Sequence, residues 1–144
     1  MKRILIFAGI IIFSIAAFLI VDEINKYTVG GNFKAYKEDR EEMIRMLKTG
    51  EIKKERFYYT PERFKEANVN DILNAKMYGN RHFVFFQWVK SPVFGPGLIE
   101  GFLYTSTGKP PTIKEFDHLA GCKFEKVQGE DNWYFASNDD GYYD

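Results

Sequence analysis

The chain has 144 residues and carries 20 basic and 20 acidic side chains, so its formal net charge at pH 7 is zero. A chain without a positive field cannot neutralise a row of phosphates, which argues against nucleic acid as a partner. Its aromatic content of 17% is typical of a chain with a packed core and excludes a disordered one. The single cysteine, Cys122, excludes an internal disulfide.

The first segment of the chain is apolar. Residues 4–21 carry no charge, and two basic residues precede them. A helix needs about 20 apolar residues to cross roughly 30 Å of hydrocarbon. A removed signal peptide starts in the same way but needs small residues at its cleavage site, and cleavage at the best match, Ser14–Ala16, would leave a new apolar terminus. We therefore predict an uncleaved anchor at 4–21, with a removed signal peptide as the alternative.

The charges beside the predicted anchor indicate its orientation. Lys2 and Arg3 precede it, whereas Asp22 and Glu23 follow it. Because Lys and Arg resist translocation, residues 1–3 are expected to stay in the cytoplasm and the rest of the chain to lie outside. The predicted location is the cell membrane, with a single pass, membrane lipid around residues 4–21 and a periplasmic or extracellular C-terminal domain.

The remaining chain has the usual size of one domain. The pair Gly30 and Gly31 predicts a flexible linker over 22–32, and Asn32 is the expected N-cap of a long helix. Gly50 is the expected residue after the end of that helix. The apolar residues at helical spacing between them are Phe33, Tyr36, Met43, Ile44 and Leu47. The α+β domain is predicted over 33–137, followed by a flexible acidic tail at 138–144.

Several segments predict strands. Residues 51–60 indicate a strand with a charged beginning, residues 61–67 a short helix that starts at Pro61, and Ile72 and Leu73 another turn. The later strands are predicted from their aromatic and β-branched residues at 81–89 and 97–106 and as a hairpin of 122–127 with 132–137. The predicted fold is α+β, in which a transmembrane helix precedes a small domain with one long helix on a mostly antiparallel sheet of four or five strands.

Few residues indicate chemistry. Glu100 lies in an apolar strand and is a candidate functional acid, with an exposed position at the edge of its sheet face as the alternative. His118 and Cys122 are four residues apart and could form a thiolate–imidazole pair, although Gly121 interrupts a helix between them. The alternative is a small buried thiol beside a surface histidine. Two histidines and one thiol make a weak zinc set, and we predict no metal and no cofactor.

The segment Lys90–Gly97 (KSPVFGPG) is longer than a tight hairpin requires. A rigid loop that presents an aromatic ring is a good recognition element, because little entropy is lost when it docks. Val93, Phe94 and Pro96 are therefore candidate interaction residues. The alternative is that Phe94 folds back and closes the end of the core.

These features favour an extracytoplasmic binding module held at the membrane. Such a protein would be an accessory, regulatory or immunity-like subunit of an envelope complex and would act by protein–protein contact. One alternative is a small envelope hydrolase that uses Glu100, or Cys122 with His118. Another is a pilin-like structural subunit, although the apolar segment has neither the early acidic residue nor the Gly-Phe processing site of pilins.

Overall fold

The computed structural model describes residues 2–89 and 97–138, and the side chains of residues 2–9 and of Asp22 lie outside this description. Helix α1 spans Lys2–Asn25. Within the described part of the chain, no helix combines the length and the apolar character needed to cross a membrane. The transmembrane helix over 4–21 therefore stays a prediction.

Helix α2 spans Val29–Thr49 and begins earlier than the sequence predicts. The N-cap is Thr28, whose Oγ1 accepts a hydrogen bond from the backbone N–H of Gly31 at 3.0 Å. A capping hydroxyl satisfies one of the amide groups that lack a partner in the first turn, so the helix can start before the glycine pair. The sequence predicts a linker over 22–32 and an N-cap at Asn32. In the structure only residues 26–28 connect the two helices.

The end of α2 agrees with the sequence. Gly50 follows Thr49 and has φ +76°, the left-handed conformation that favours glycine after a helix. Its backbone N–H donates to the carbonyl of Leu47, and the N–H of Ile52 donates to the carbonyl of Met46. These bonds satisfy carbonyl groups of the last turn that have no partner within the helix.

The described residues form a six-stranded antiparallel sheet in the order β1-β2-β3-β4-β6-β5. The strands are β1 Tyr58–Tyr59, β2 Ile72–Tyr78, β3 Arg81–Gln87, β4 Glu100–Thr105, β5 Lys123–Lys126 and β6 Trp133–Ser137. Short 3-10 helices cover Glu62–Phe64 and Asp117–Leu119. The α+β class, the antiparallel sheet and the long helix are confirmed, while the predicted number of four or five strands is wrong.

The additional strand is β2, where the sequence predicts only a turn through Ile72 and Leu73. Its residues include Asn74 and Lys76, which have low strand propensity by themselves. A short turn at Gly79 joins β2 to the strongly β-forming β3, and the ladder between them runs from Asn74 to Tyr78. Pairing with β3 thus decides the conformation of β2. The strand predicted over 51–60 shrinks to β1.

Both faces of the sheet are covered, as the apolar residues on both sides of β3 predict. On one face a core cluster consists of Phe83, Phe85, Leu103, Phe116, Leu119, Tyr134 and Ala136. Phe116 and Leu119 in this cluster come from the segment around the second 3-10 helix. On the opposite face α2 packs on β4, since the guanidinium of Arg40 lies 4.3 Å from the ring centre of Phe102.

The chain divides into two compact units, residues 1–35 and residues 36–144. The second unit contains the sheet, and the first contains α1 and the beginning of α2. In the first unit, the side chains from Ile10 to Val21 are all exposed. A helix that shows apolar side chains on every side has no face suited to water.

Candidate functional site

Glu100 is buried at the start of β4. Only 5% of its surface is exposed, and Ser137 Oγ lies 3.4 Å from Oε1 at hydrogen-bond distance. Strand β4 lies between β3 and β6, so a residue on it cannot reach a sheet edge. The alternative of an exposed edge position is therefore wrong. A functional role for this carboxylate stays a prediction.

The interaction residues predicted at Val93, Phe94 and Pro96 lie outside the described residues. The ends of that segment are held by the sheet. The N–H of Trp88 donates to the carbonyl of Glu100 at 2.9 Å, and Asn138 Nδ2 donates to the carbonyl of Gly97 at 2.9 Å. Both attachment points of the segment are therefore ordered parts of the fold.

A buried polar network supports the same end of the sheet. Asn68 is fully buried, and its Nδ2 donates to Thr60 Oγ1 at 2.7 Å. Its Oδ1 accepts the backbone N–H of Gln87 at 2.7 Å, while Asn70 Nδ2 donates to Gln87 Oε1 at 2.8 Å. Because a buried polar group is costly when it has no partner, this network fixes the connection before β2 to the end of β3.

His118 and Cys122 lie beside the core cluster that contains Phe83. The ring of His118 is 5.8 Å from that of Phe85, and its Nε2 is 3.2 Å from Asn74 Nδ2. Burial lowers the pKa of His118 and raises the pKa of Cys122. A reactive thiolate–imidazolium pair requires shifts in the opposite directions. The described structure therefore favours a packing role for both residues.

Arg40, which the sequence does not single out, is fully buried between α2 and the sheet. Its Nε donates to the carbonyl of Ala67 at 3.1 Å, and its guanidinium faces the ring of Phe102. Burial lowers its pKa to about 9. The only sequence signal for its burial is its position on the apolar face of α2. Met43 and Ile44 lie one turn after it on this face, and Leu47 lies two turns after it.

A groove of the second unit, with a volume of about 750 Å³, lies between α2 and the turn that joins β5 to β6. Tyr104 and Trp133 form its aromatic part, with ring centres 5.4 Å apart. Charged residues of α2 and of the turn form its rim, namely Glu41, Arg45, Lys48, Glu130 and Asp131. We call it the helix–turn groove.

Ion pairs occupy part of this rim. Lys37 Nζ lies 2.6 Å from Glu130 Oε1, and this hydrogen bond raises the pKa of Lys37. Arg45 bonds both Glu42 and Glu51, which lowers the pKa of both carboxyl groups. Among the described residues, Lys48 has no acidic partner, and its Nζ lies 3.3 Å from the hydroxyl of Tyr104. The groove therefore combines an aromatic surface with charges of both signs.

In the part of the chain that the structure describes, no three His, Cys, Asp or Glu residues are grouped closely enough to hold an ion. Comparison of the chain with protein-family models, with curated proteins and with solved structures finds no match. The class that fold and site define is an α+β domain with an open, aromatic-lined groove, preceded by an apolar helix.

Proposed function

We propose that this protein is a binding module that a lipid-embedded α1 holds at a cell membrane, with residues 36–138 acting outside the cytoplasm by contact with another envelope protein. The observation that carries the proposal is the exposure of α1. Four consecutive apolar residues, Ile10 to Phe13, are each between 57% and 76% exposed. Since successive helical residues are about 100° apart, these four side chains point to all sides of the helix.

Water is a poor solvent for such a surface. Soluble monomers rarely expose contiguous apolar patches larger than a few hundred square ångströms. The uncharged run of 18 residues at 4–21 has nearly the length of a membrane span. The flanking charges support a cytoplasmic N-terminus and an external domain.

The second unit suits contact with a protein better than catalysis. The shifted pKa values beside the helix–turn groove belong to exposed or half-buried residues in ion pairs at the surface, which adjust surface charge. Aromatic side chains with charged residues around them are typical of protein interfaces. The proposal thus assigns recognition to the second unit and attachment to α1.

Fractionation of cells tests the attachment. The full-length chain is expected in the membrane pellet after alkaline carbonate washing, and an alkaline phosphatase fused after Asp144 is expected to be active. As a matched control, Ile11→Lys and Ile15→Lys together place two charges in the apolar helix and should release the chain. A wild-type chain found in the soluble fraction would contradict the proposal.

Recognition by the segment 90–97 is tested separately. If Phe94 contacts the partner, Phe94→Ala should lose the product that chemical cross-linking forms in cells while keeping its melting temperature, because an interface ring contributes only in the complex. If the ring instead closes the core, the same change should cost about 3–5 kcal/mol of unfolding free energy. Unchanged cross-linking and unchanged melting would remove this residue from the proposal.

A further inference from the structure

The outer edge of β2 is only partly covered. Strand β1 pairs with Ile72 and Leu73, and no other described strand lies beside Asn74–Tyr78 on that side. In the antiparallel ladder, His82 exchanges hydrogen bonds with Ser106, towards β4. Its partner Met77 therefore directs its own N–H and carbonyl groups outward, and so does Ala75 two residues earlier.

A groove lies along this edge, where a longer β1 would continue. The chain turns away before Tyr58, with a hydrogen bond from the N–H of Glu55 to the carbonyl of Phe57. The space left beside β2 has a volume of about 420 Å³. We call it the edge groove, and its lining consists of Lys54, Arg56–Tyr58, Ile72–Lys76 and Phe116–His118.

The edge groove has an excess of positive charge. Lys54, Arg56 and Lys76 line it together with a single acid, Asp117. Among the described residues, neither Lys54 nor Arg56 takes part in an ion pair, and both lie over rings of their own segment, Tyr58 at 5.9 Å and Phe57 at 5.4 Å. Lys76 is 3.7 Å from Asp117, and that pair is exposed, so it neutralises little charge.

We propose that the open edge of β2 binds an extended acidic segment of a partner protein, which adds as a further strand beside Asn74–Tyr78. Five residues are close to the usual length of a strand, and the outward groups of Ala75 and Met77 supply the backbone hydrogen bonds. The inference rests on the proposed function, since it assumes that the protein acts by protein–protein contact. It adds the recognition mode and the charge of the partner.

The alternation of β2 also predicts which side chains of the partner face the cations. Asn74 and Lys76 share the face of Phe85 and Phe83, to which they are paired, and this face borders the edge groove. Ala75 and Met77 point to the opposite face. An incoming strand with acids at every second position would place them beside Lys76 and Lys54, with its small or apolar residues beside Ala75 and Met77.

A second copy of this chain is a poorer occupant. Pairing two β2 edges would bring two copies of Lys76, Lys54 and Arg56 into one interface. Like charges opposite each other destabilise a pair of strands. An acidic strand avoids this repulsion and gains from the same cations. Natural proteins usually protect unpaired strand edges against pairing with a second copy, often with a charged residue, and Lys76 has this role on β2.

Peptide binding to the full-length chain in a non-ionic detergent tests the proposal. The probe is a fluorescent ten-residue peptide in which Glu alternates with Thr and Val, and the control peptide has Lys in place of Glu. Fluorescence anisotropy should show binding at least about ten-fold tighter for the acidic peptide. Two further acidic peptides are N-methylated at the odd or at the even amides. The glutamates must lie on the face of the sheet that carries the cations, so only one set of peptide amides can point towards β2. Only the peptide that is N-methylated at this set should lose binding.

Variants of the chain locate the site. Lys54→Glu together with Lys76→Glu should weaken binding about ten-fold, since both cations become repulsive. Lys109→Glu is the matched control, because Lys109 is exposed and lies outside the edge groove, and it should bind as the wild type does. Ala75→Pro removes an outward N–H without breaking the ladder with β3 and should also weaken binding.

Three results would overturn the proposal. The first is equal binding of the acidic and basic peptides, and the second is equal binding of the two N-methylated peptides. The third is self-association of the wild-type chain that Ala75→Pro abolishes, which would assign the edge to a second copy. Loss of membrane attachment would instead contradict the proposed function and leave the peptide results unchanged, so the two failures are distinguishable.

Discussion

Among single residues, Arg40 has the most unusual environment. A guanidinium with no exposed surface loses its hydration, and its contacts compensate for part of that loss, among them a hydrogen bond to the carbonyl of Ala67 and the face of Phe102. Desolvation is the main reason for its lowered pKa. The residue therefore makes stability depend on pH in a way that ordinary arginines do not.

The pH dependence of Arg40 follows from linkage. Because burial lowers the pKa of Arg40 in the folded state and the unfolded chain keeps the ordinary pKa, we expect the folded state to release this proton first as the pH rises. The unfolded state then binds more protons, so stability rises with pH. We expect the unfolding free energy of wild type, relative to Arg40→Met, to rise above pH 9 by up to about 1.4 kcal/mol per pH unit.

Urea titrations at several pH values from 7 to 10.5 measure this difference. Comparison with Arg40→Met removes the contributions of other titrating groups, which both proteins share. Arg45→Met serves as the control, because Arg45 is exposed and its ion pairs raise its pKa, so its difference from wild type should stay constant. A constant difference for Arg40→Met as well would show that Arg40 keeps its proton.

The thiol of Cys122 gives a second prediction at this scale. Since burial raises its pKa, it should react with a disulfide reagent at pH 8 more slowly than a free cysteine does. Cys122→Ser should cost no more than about 1–2 kcal/mol of unfolding free energy, as expected for a hydroxyl in a partly apolar site. Fast reaction, or lost biological activity at unchanged stability, would favour the hydrolase alternative.

At the scale of elements, close packing inside the sheet decides the identity of Gly101 on β4. A Cβ there would lie 2.1 Å from the carbonyl oxygen of Phe86 and 2.8 Å from Cζ of Phe85. The missing side chain at this glycine therefore leaves room for the ring of Phe85. By contrast, a Cβ at Gly30 of α2 meets nothing within 4 Å.

Alanine substitutions at these two glycines should have opposite effects. Gly101→Ala forces backbone or rings apart and should destabilise the protein by at least about 1–3 kcal/mol. Gly30→Ala is the matched control and should stabilise α2 by up to about 1 kcal/mol, because alanine loses less backbone entropy in a helix. Thermal unfolding by circular dichroism measures both, and equal effects would contradict the packing argument.

For the whole molecule, the exposed apolar surface and the buried core lie in different parts of the chain. Within the described chain, the exposed apolar residues of α1 run from Ile10 to Ile24, and buried apolar side chains begin at Phe33, near the end of the first unit. The core on both faces of the sheet comes from residues after α1. The second unit thus contains its own hydrophobic core, which is what a domain needs to fold alone.

Residues 28–144, which keep the Thr28 cap and all of α2, are therefore expected to fold without α1. This fragment should stay in solution without detergent and show a cooperative thermal transition with near-ultraviolet dichroism from its packed aromatic rings. The full-length chain should need detergent under the same conditions. A fragment that binds a hydrophobic dye and melts without cooperativity would show that α1 is part of the core.

The sequence alone determined those elements whose conformation follows from their own local residue pattern. Strands β3, β4, β5 and β6 follow from aromatic and β-branched runs, and the end of α2 follows from Gly50. These features act through local propensity and periodicity, which are readable in a short window of residues. The beginning of α2 was misplaced because a threonine cap at Thr28 outweighs the glycine pair, a local competition between two signals.

Only the tertiary structure decided the rest. Strand β2 exists because β3 pairs with it, Glu100 is buried because β4 is a central strand, and Arg40 is buried because α2 lies over Phe102. The helix–turn groove and the edge groove each join segments that are far apart in the chain. Local patterns carry no information on which distant segment will face a residue, because strand order and packing are selected by the free energy of the whole fold.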